Sequence, residues 1–207
     1  MKQLLFWLVL VVPAFVRPVL AADPPPAAAP AKAAPLAKHP GQPYVQVVTS
    51  AGSFIIQLNE ERAPLTVASF LQYVDEGQYT GTIFHRVIQS FVIQGGGFDV
   101  NYKEKPAPRK TPNESGNGLT NVRGTVGLAR TSAPHDGDCQ FYVNLADNNA
   151  LDPNSARWGY AVFGKVIGGM DVVDRIGGQA TGARGPFKED APLDPIRIER
   201  IERIPRP

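Results

Sequence analysis

In the stretch FHRVIQSFVIQGGGF, from Phe84 to Phe98, one permanent cation, Arg86, and one amide, Gln94, sit amid apolar strand-forming residues. Val87, Ile88, Val92 and Ile93 favour a pleated surface, which predicts strands over Thr82–Ile88 and Phe91–Gly95 joined by the tight connection Gln89–Ser90. A permanent cation in so apolar a strand must face a groove or a partner, because burying it unpaired is costly. No carboxylate stands in the motif to neutralise it. An arginine beside aromatic and aliphatic walls, with an amide close by, suits the holding of a neutral carbonyl.

Other chemistries find little support. Gly95-Gly96-Gly97 is not followed by Lys-Ser/Thr, so close backbone packing accounts for it better than phosphate binding. His39, His85 and His135 lack the spacing of a metal-ligand set, and His85 reads as structural or as part of a pocket rim. Cys139 is the single cysteine, which rules out a disulfide within the chain and a cysteine-based metal site; a buried packing thiol is expected. The formal net charge is +2 over 207 residues. Residues 1–40 carry about +3 and the remainder about −1, with no clustered basic charge of the kind that binds nucleic acid.

The elements that must position Arg86 follow from periodicity. With 43% hydrophobic residues the chain can bury one proper core, and 20 Gly and 20 Pro favour a turn-rich β fold over a helical bundle. YVQVVT and SFIIQL form a hairpin around Ser50-Ala51-Gly52, beginning at Tyr44. Ala63 to Glu76 is helical: Pro64 suits the first turn, Val67, Phe70, Leu71 and Val74 recur at helical spacing, and Gly77 ends it. Asp99 to Leu119 is polar and proline-rich and is expected to be a long surface loop. Thr125–Ala129, Gln140–Val143, Ala161–Val166 and Ile196–Ile204 complete eight strands, and Met170–Ile176 is a second, short helix.

Four blocks carry a resemblance to a known family: the Phe84–Phe98 stretch, GTVGLAR (Gly124–Arg130), QFYVNLADNNALD (Gln140–Asp152) and GYAVFGKVIGGMDVVDRI (Gly159–Ile176). In this order and at this spacing they resemble the cyclophilin family of peptidyl-prolyl cis–trans isomerases, over roughly Tyr44 to Ile204. The resemblance implies a closed eight-stranded antiparallel β-barrel capped by two α-helices, a mainly β architecture. It implies rotation about Xaa–Pro bonds, with proline-containing segments of unfolded or extended chains as partners and with no metal and no cofactor. Arg86 resembles the catalytic arginine, Phe91 the floor of the proline pocket and Gln94 the amide that orients Arg86. Val92, Ala129, Arg130, Gln140, Tyr142, Leu151 and Tyr160 match substrate-binding positions.

Several of these depart from the commoner family residues. Val92 replaces a frequent methionine, Arg130 a frequent asparagine and Tyr160 a frequent histidine. Tyr142 stands where phenylalanine is usual and brings a hydroxyl that costs affinity unless it finds water or a partner. Ala150 stands where many members have a tryptophan associated with cyclosporin binding, so weak sensitivity to that drug is expected. A binding module or holding chaperone for proline segments, with incidental turnover, is the alternative, but retention of Arg86, Phe91 and Gln94 favours the enzyme.

Ahead of the domain, Lys2, the apolar run Leu4–Val16 and the small residues ending at Ala21 have the form of a secretory signal over 1–21, with cleavage after Ala21 or Ala22. The run is short for a membrane span. Residues 22–43 are Pro/Ala-rich and read as a disordered tether to the domain, 44–207. The expectation is an exported monomer, in the bacterial periplasm, with no stable membrane insertion after cleavage.

Overall fold

A computed structural model describes residues 42–207. The expected signal at 1–21 and nearly all of the tether at 22–43 lie outside the described residues. Ten strands and two helices follow in chain order: β1 Tyr44–Thr49, β2 Gly52–Leu58, α1 Pro64–Asp75, β3 Thr82–Ile88, β4 Val92–Asp99, β5 Thr125–Leu128, β6 Phe141–Asn144, β7 Val162–Gly168, α2 Met170–Gly177, β8 Thr181–Arg184, β9 Phe187–Pro192 and β10 Arg197–Ile204. Eight of them close an antiparallel barrel in the order β1-β10-β3-β4-β6-β5-β7-β2, as expected. No helix among the described residues is long and apolar enough to cross a membrane.

Alternation fills the barrel. In β1, Val45, Val47 and Thr49 point inward; in β2, Phe54, Ile56 and Leu58 do so. Both helices add to this core, α1 through Val67, Phe70, Leu71 and Val74 and α2 through Val172, Val173 and Ile176. Phe70 lies with its ring 5.8 Å from Phe141 and 5.1 Å from Phe163, so the helix is locked to the strands by aromatic contact.

Helix α1 starts without a capping side chain of its own, since Ala63 stands at its N-cap. The free amides are met from a distance. Glu114 accepts hydrogen bonds from the Leu65 and Thr66 backbone N–H at 3.1 and 2.8 Å and from Thr66 Oγ1 at 2.7 Å. The 99–119 segment is therefore more than a surface loop: it carries the anionic cap of α1, and Thr111 and Ser115 within it are buried. Glu114→Ala is expected to lower stability by about 1–2 kcal/mol in urea denaturation, the usual loss for an N-terminal cap.

The hairpin β8–β9 was not evident from periodicity, because TGARGPFKEDAP lacks apolar alternation and most of its side chains are exposed. It pairs only with itself and leans on β3 through one aromatic anchor. Phe187 stacks on His85 at 5.3 Å and meets Phe98 edge-on at 5.1 Å. Tyr102 Oη donates to the Pro192 carbonyl at 3.1 Å and holds the far end.

Candidate active site

One irregularity decides where Arg86 points. Along β3 and β4 the partners run Phe84↔Gly95 and then Arg86↔Gln94, so two steps on β3 match one on β4. His85 is the extra residue of a β-bulge. Phe84 and Val87 both sit in the barrel core although they are three positions apart, with two residues between them where strict alternation allows one. Without the bulge, strict alternation would turn Arg86 inward with Phe84. The bulge puts the cation on the outer face instead, where water and ligands reach it.

On that face the register aligns Arg86, Gln94, Tyr142 and Gly127 across β3, β4, β6 and β5. Next to this row lies a small apolar cluster, distinct from the main core. Val92, Ala129 and Tyr142 form its buried centre, and Phe91, Leu151 and Tyr160 pack around it half-buried. Six of the residues singled out in the sequence thus come together as one wall, beside a cation whose side chain is 39% exposed.

Each wall residue is held by a local reason. Phe91 sits in the tight connection between β3 and β4, turned by Ser90 at φ +58°. Its carbonyl accepts from Leu145 N and from Asn148 Nδ2, both at 2.8 Å. Tyr142 lies over Gly127, where any Cβ would collide with its ring. Its hydroxyl donates to Asn121 Oδ1 at 2.6 Å, so the polar atom is satisfied within the protein and the ring is free to serve the apolar cluster. Burial pushes the phenol's pKa well above its ordinary value, with Tyr160 and Asp152 adding to the rise, so it stays a neutral donor.

Asn121 was not singled out in the sequence, and it is the hub of this support. Its own N–H and Nδ2 both donate to Asp152 Oδ1 at 2.8 Å, and its Oδ1 also accepts from Asn144 Nδ2 at 3.2 Å. Asn144 in turn accepts from Asn148 Nδ2 at 2.7 Å. A chain of buried amides therefore links Tyr142 to Phe91 beneath the wall. Nothing in the spacing of these asparagines marks them: Asn121 and Asn148 lie in loops, where polar residues carry no periodicity, and Asn144 ends β6.

Arg130 is fully engaged within the protein. Its guanidinium lies over the Tyr160 ring at 4.4 Å and donates to the carbonyls of Thr131 at 2.8 Å and Trp158 at 3.0 Å. Tyr160 meets Tyr142 edge-on at 6.1 Å, which makes Arg130, Tyr160 and Tyr142 one stack. Gln94 Nε2 donates to Gln140 Oε1 at 3.1 Å, so the amide expected to orient Arg86 is itself oriented by Gln140. Gln140 in turn covers Gly97, where an added Cβ would come within 2.6 Å of its side chain. The three glycines thus serve close packing.

The charged partner of Arg86 comes from the hairpin: Asp190 Oδ2 lies 3.6 Å from Arg86 Nε. Cys139 is buried, its thiol donates to the Gly96 carbonyl at 3.4 Å, and burial first of all lifts its pKa to about 11, which leaves it an inert thiol.

His85 is also out of play as an acid or base. Its pKa is lowered to about 4, chiefly by burial; a backbone hydrogen bond at Ile83 opposes the fall and the neighbouring Arg86 charge contributes to it. Its Nδ1 is buried without a protein partner. The unfolded chain, with histidine near 6.5, binds the extra proton first. Stability is therefore fully present above pH 6.5 and falls as pH drops through about 4, by on the order of 3 kcal/mol. Melting curves across that window are expected to show the loss, and His85→Phe, which keeps the ring stack, is expected to flatten it.

An apolar wall beside a partly exposed guanidinium, with no activated nucleophile among the described residues, is equipped to bind a ring and to hold a carbonyl or amide. The model of cyclophilin-type peptidyl-prolyl cis-trans isomerases matches residues 44–203. The chain belongs to this family. A peptidyl-prolyl cis-trans isomerase of Acinetobacter baylyi is 46% identical over 158 residues, covering 76% of this chain and 84% of the relative. Peptidyl-prolyl cis-trans isomerase B of Escherichia coli is 46% identical over 156 residues, covering 74% and 94%. Among solved structures, a cyclophilin-type isomerase of Cryptosporidium parvum superposes with a TM-score of 0.66 at 24% identity, over 80% of this chain and 99% of that one. The activity is peptidyl-prolyl cis–trans isomerisation, and the barrel of this isomerase is the cyclophilin fold.

Proposed function

We propose that this isomerase is an exported folding catalyst that turns Xaa–Pro bonds in extended or unfolded chains, with Arg86 as the donor that stabilises the twisted amide. The observation that carries this reading is the outward-facing cluster of Phe91, Val92, Ala129, Tyr142, Leu151 and Tyr160, separate from the core and adjoining Arg86. Amide resonance sets a barrier of about 18–20 kcal/mol to rotation. In the twisted state the nitrogen loses conjugation and regains a lone pair. The proline ring is held against the apolar wall, Gln94 bonds the substrate backbone, and the guanidinium donates to the rotating carbonyl oxygen or to the nitrogen. These contacts are stronger for the twisted form than for either planar one, which is the requirement for catalysis. Arginine suits the task because it stays charged and offers a planar fork of donors.

Proline-containing substrates are further supported by a second Cryptosporidium parvum cyclophilin-type isomerase structure, obtained in the presence of the dipeptide Ala-Pro, which superposes with a TM-score of 0.62 at 25% identity. Export rests on the N-terminal sequence: residues 1–21 act as a cleaved signal and 22–43 as a tether, placing a monomeric domain 44–207 in the periplasm. The test joins two measurements. Intact mass of the protein recovered from the periplasm should lack residues 1–21 or 1–22. That mature form should accelerate both the isomerisation of a short Xaa–Pro peptide and the proline-limited refolding of a reduced, unfolded protein. A full-length mass in the membrane fraction would overturn the export reading. Catalysis of the short peptide alone would overturn the role in folding.

A further inference from the structure

We infer that Asp190 is a positioning residue for Arg86, delivered by the β8–β9 hairpin, so that this hairpin is part of the catalytic apparatus. The inference rests on the reading of Arg86 as the catalytic donor. Three separate observations converge on it. Asp190 Oδ2 lies 3.6 Å from Arg86 Nε, and among the described residues it is the only charged partner of that guanidinium. Asp190 is held at φ +62°, a left-handed conformation that a side chain adopts at a cost and that gathers at functional sites. The hairpin is docked beside Arg86 through Phe187, whose ring stacks on His85, the same bulge residue that turns Arg86 outward.

The geometry suggests a division of labour within one guanidinium. A carboxylate 3.6 Å from Nε is an ion pair too long for a hydrogen bond; its charge biases the orientation of the guanidinium and leaves the two Nη groups to meet substrate. Side-chain exposures of 39% for Arg86 and 30% for Asp190 make this pair a poor source of stability, because solvent screens it. An exposed pair reached through a strained backbone is better explained by orientation than by folding energy. Asp190 touches no reacting atom; it acts through Arg86.

The experiment is a mutant cycle on the mature isomerase with a short Xaa–Pro peptide. Asp190→Asn is expected to lower kcat/KM by about five-fold, mostly in kcat, with an unchanged fold. Asp190→Gly is expected to lose the same activity while its Tm rises, since glycine relieves the left-handed backbone. A residue needed only for structure would lose activity and Tm together. In an Arg86→Lys background, which lacks the Nε–H, Asp190→Asn should have no further effect. The Arg86 Nε–H resonance in 15N spectra should broaden in both Asp190 variants. Arg86→Ala inactive, with both Asp190 variants within 1.5-fold of wild type, would sink the inference and leave the reading of Arg86 standing. An equal loss on Asp190→Asn with Arg86 and with Lys at that position would also sink it. An active Arg86→Ala would overturn the reading beneath it and the inference with it.

Discussion

Arg86→Ala should cost the isomerase about 10²–10³-fold in kcat/KM, the usual loss when one preorganised donor to a developing charge is removed. On the roles proposed above, the fall should appear in kcat more than in KM, because the apolar wall proposed to bind the ring is untouched and the lost contact is the one assigned to the twisted state. Stability should stay within about 0.5 kcal/mol, since the side chain stands on the outer face of the barrel and is 39% exposed. Arg86→Lys should restore only part of the rate, because a point charge cannot reproduce the planar fork. Peptide isomerisation with circular dichroism on each variant checks this. A folded Arg86→Ala within three-fold of wild type would show that the wall alone does the work.

Gly127→Ala is expected to damage the wall from beneath. A Cβ at this position would lie 2.2 Å from both Cζ and Oη of Tyr142. The ring cannot step aside cheaply: it is buried, and its hydroxyl is tied to Asn121 Oδ1 at 2.6 Å. Displacing it orphans buried polar groups and overpacks the cluster, so a loss of about 2–4 kcal/mol is expected, with a several-fold rise in KM. Tyr142→Phe in the same background should not relieve the clash, because the ring carbon is as close as the oxygen. Tyr142→Leu should remove the clash but not replace the hydrogen bond to Asn121, so it should restore stability only in part and KM not at all. Urea denaturation and peptide kinetics on the double variants separate these outcomes. Full stability of Gly127→Ala alone would mean that the stack of Tyr142, Tyr160 and Arg130 yields more easily than its contacts indicate.

What the chain discloses by itself and what it does not divide along a physical line. Regular elements were legible because the core imposes period two on the strands and helical spacing on Val67, Phe70, Leu71 and Val74 of α1. The eight barrel strands and both helices were read in place from that patterning, with edges shifted by a few residues at most, such as β4, which runs on to Asp99. The gathering of Phe91, Val92, Tyr142, Leu151 and Tyr160 could be expected from the four family blocks, since spacing alone would have assigned each to ordinary packing.

Features that depend on which segments meet in space left no such trace. Glu114 caps α1 from 48 and 49 positions away in the chain, and no local pattern points from one to the other. Asn121 and Asp190 lie in segments without apolar alternation, so their partners are set by how loops fold back on the barrel. Closure of the sheet requires β10 to pair between β1 and β3, a long-range choice that strand propensity does not contain. The bulge at His85 is the clearest case. The sequence by itself determined that a cation would sit in an apolar strand and could not be buried there. Only the tertiary structure decided how it escapes: Phe84 and Val87 both claim the core, one residue too many must be absorbed between them, and the slip turns Arg86 to the outer face of the barrel.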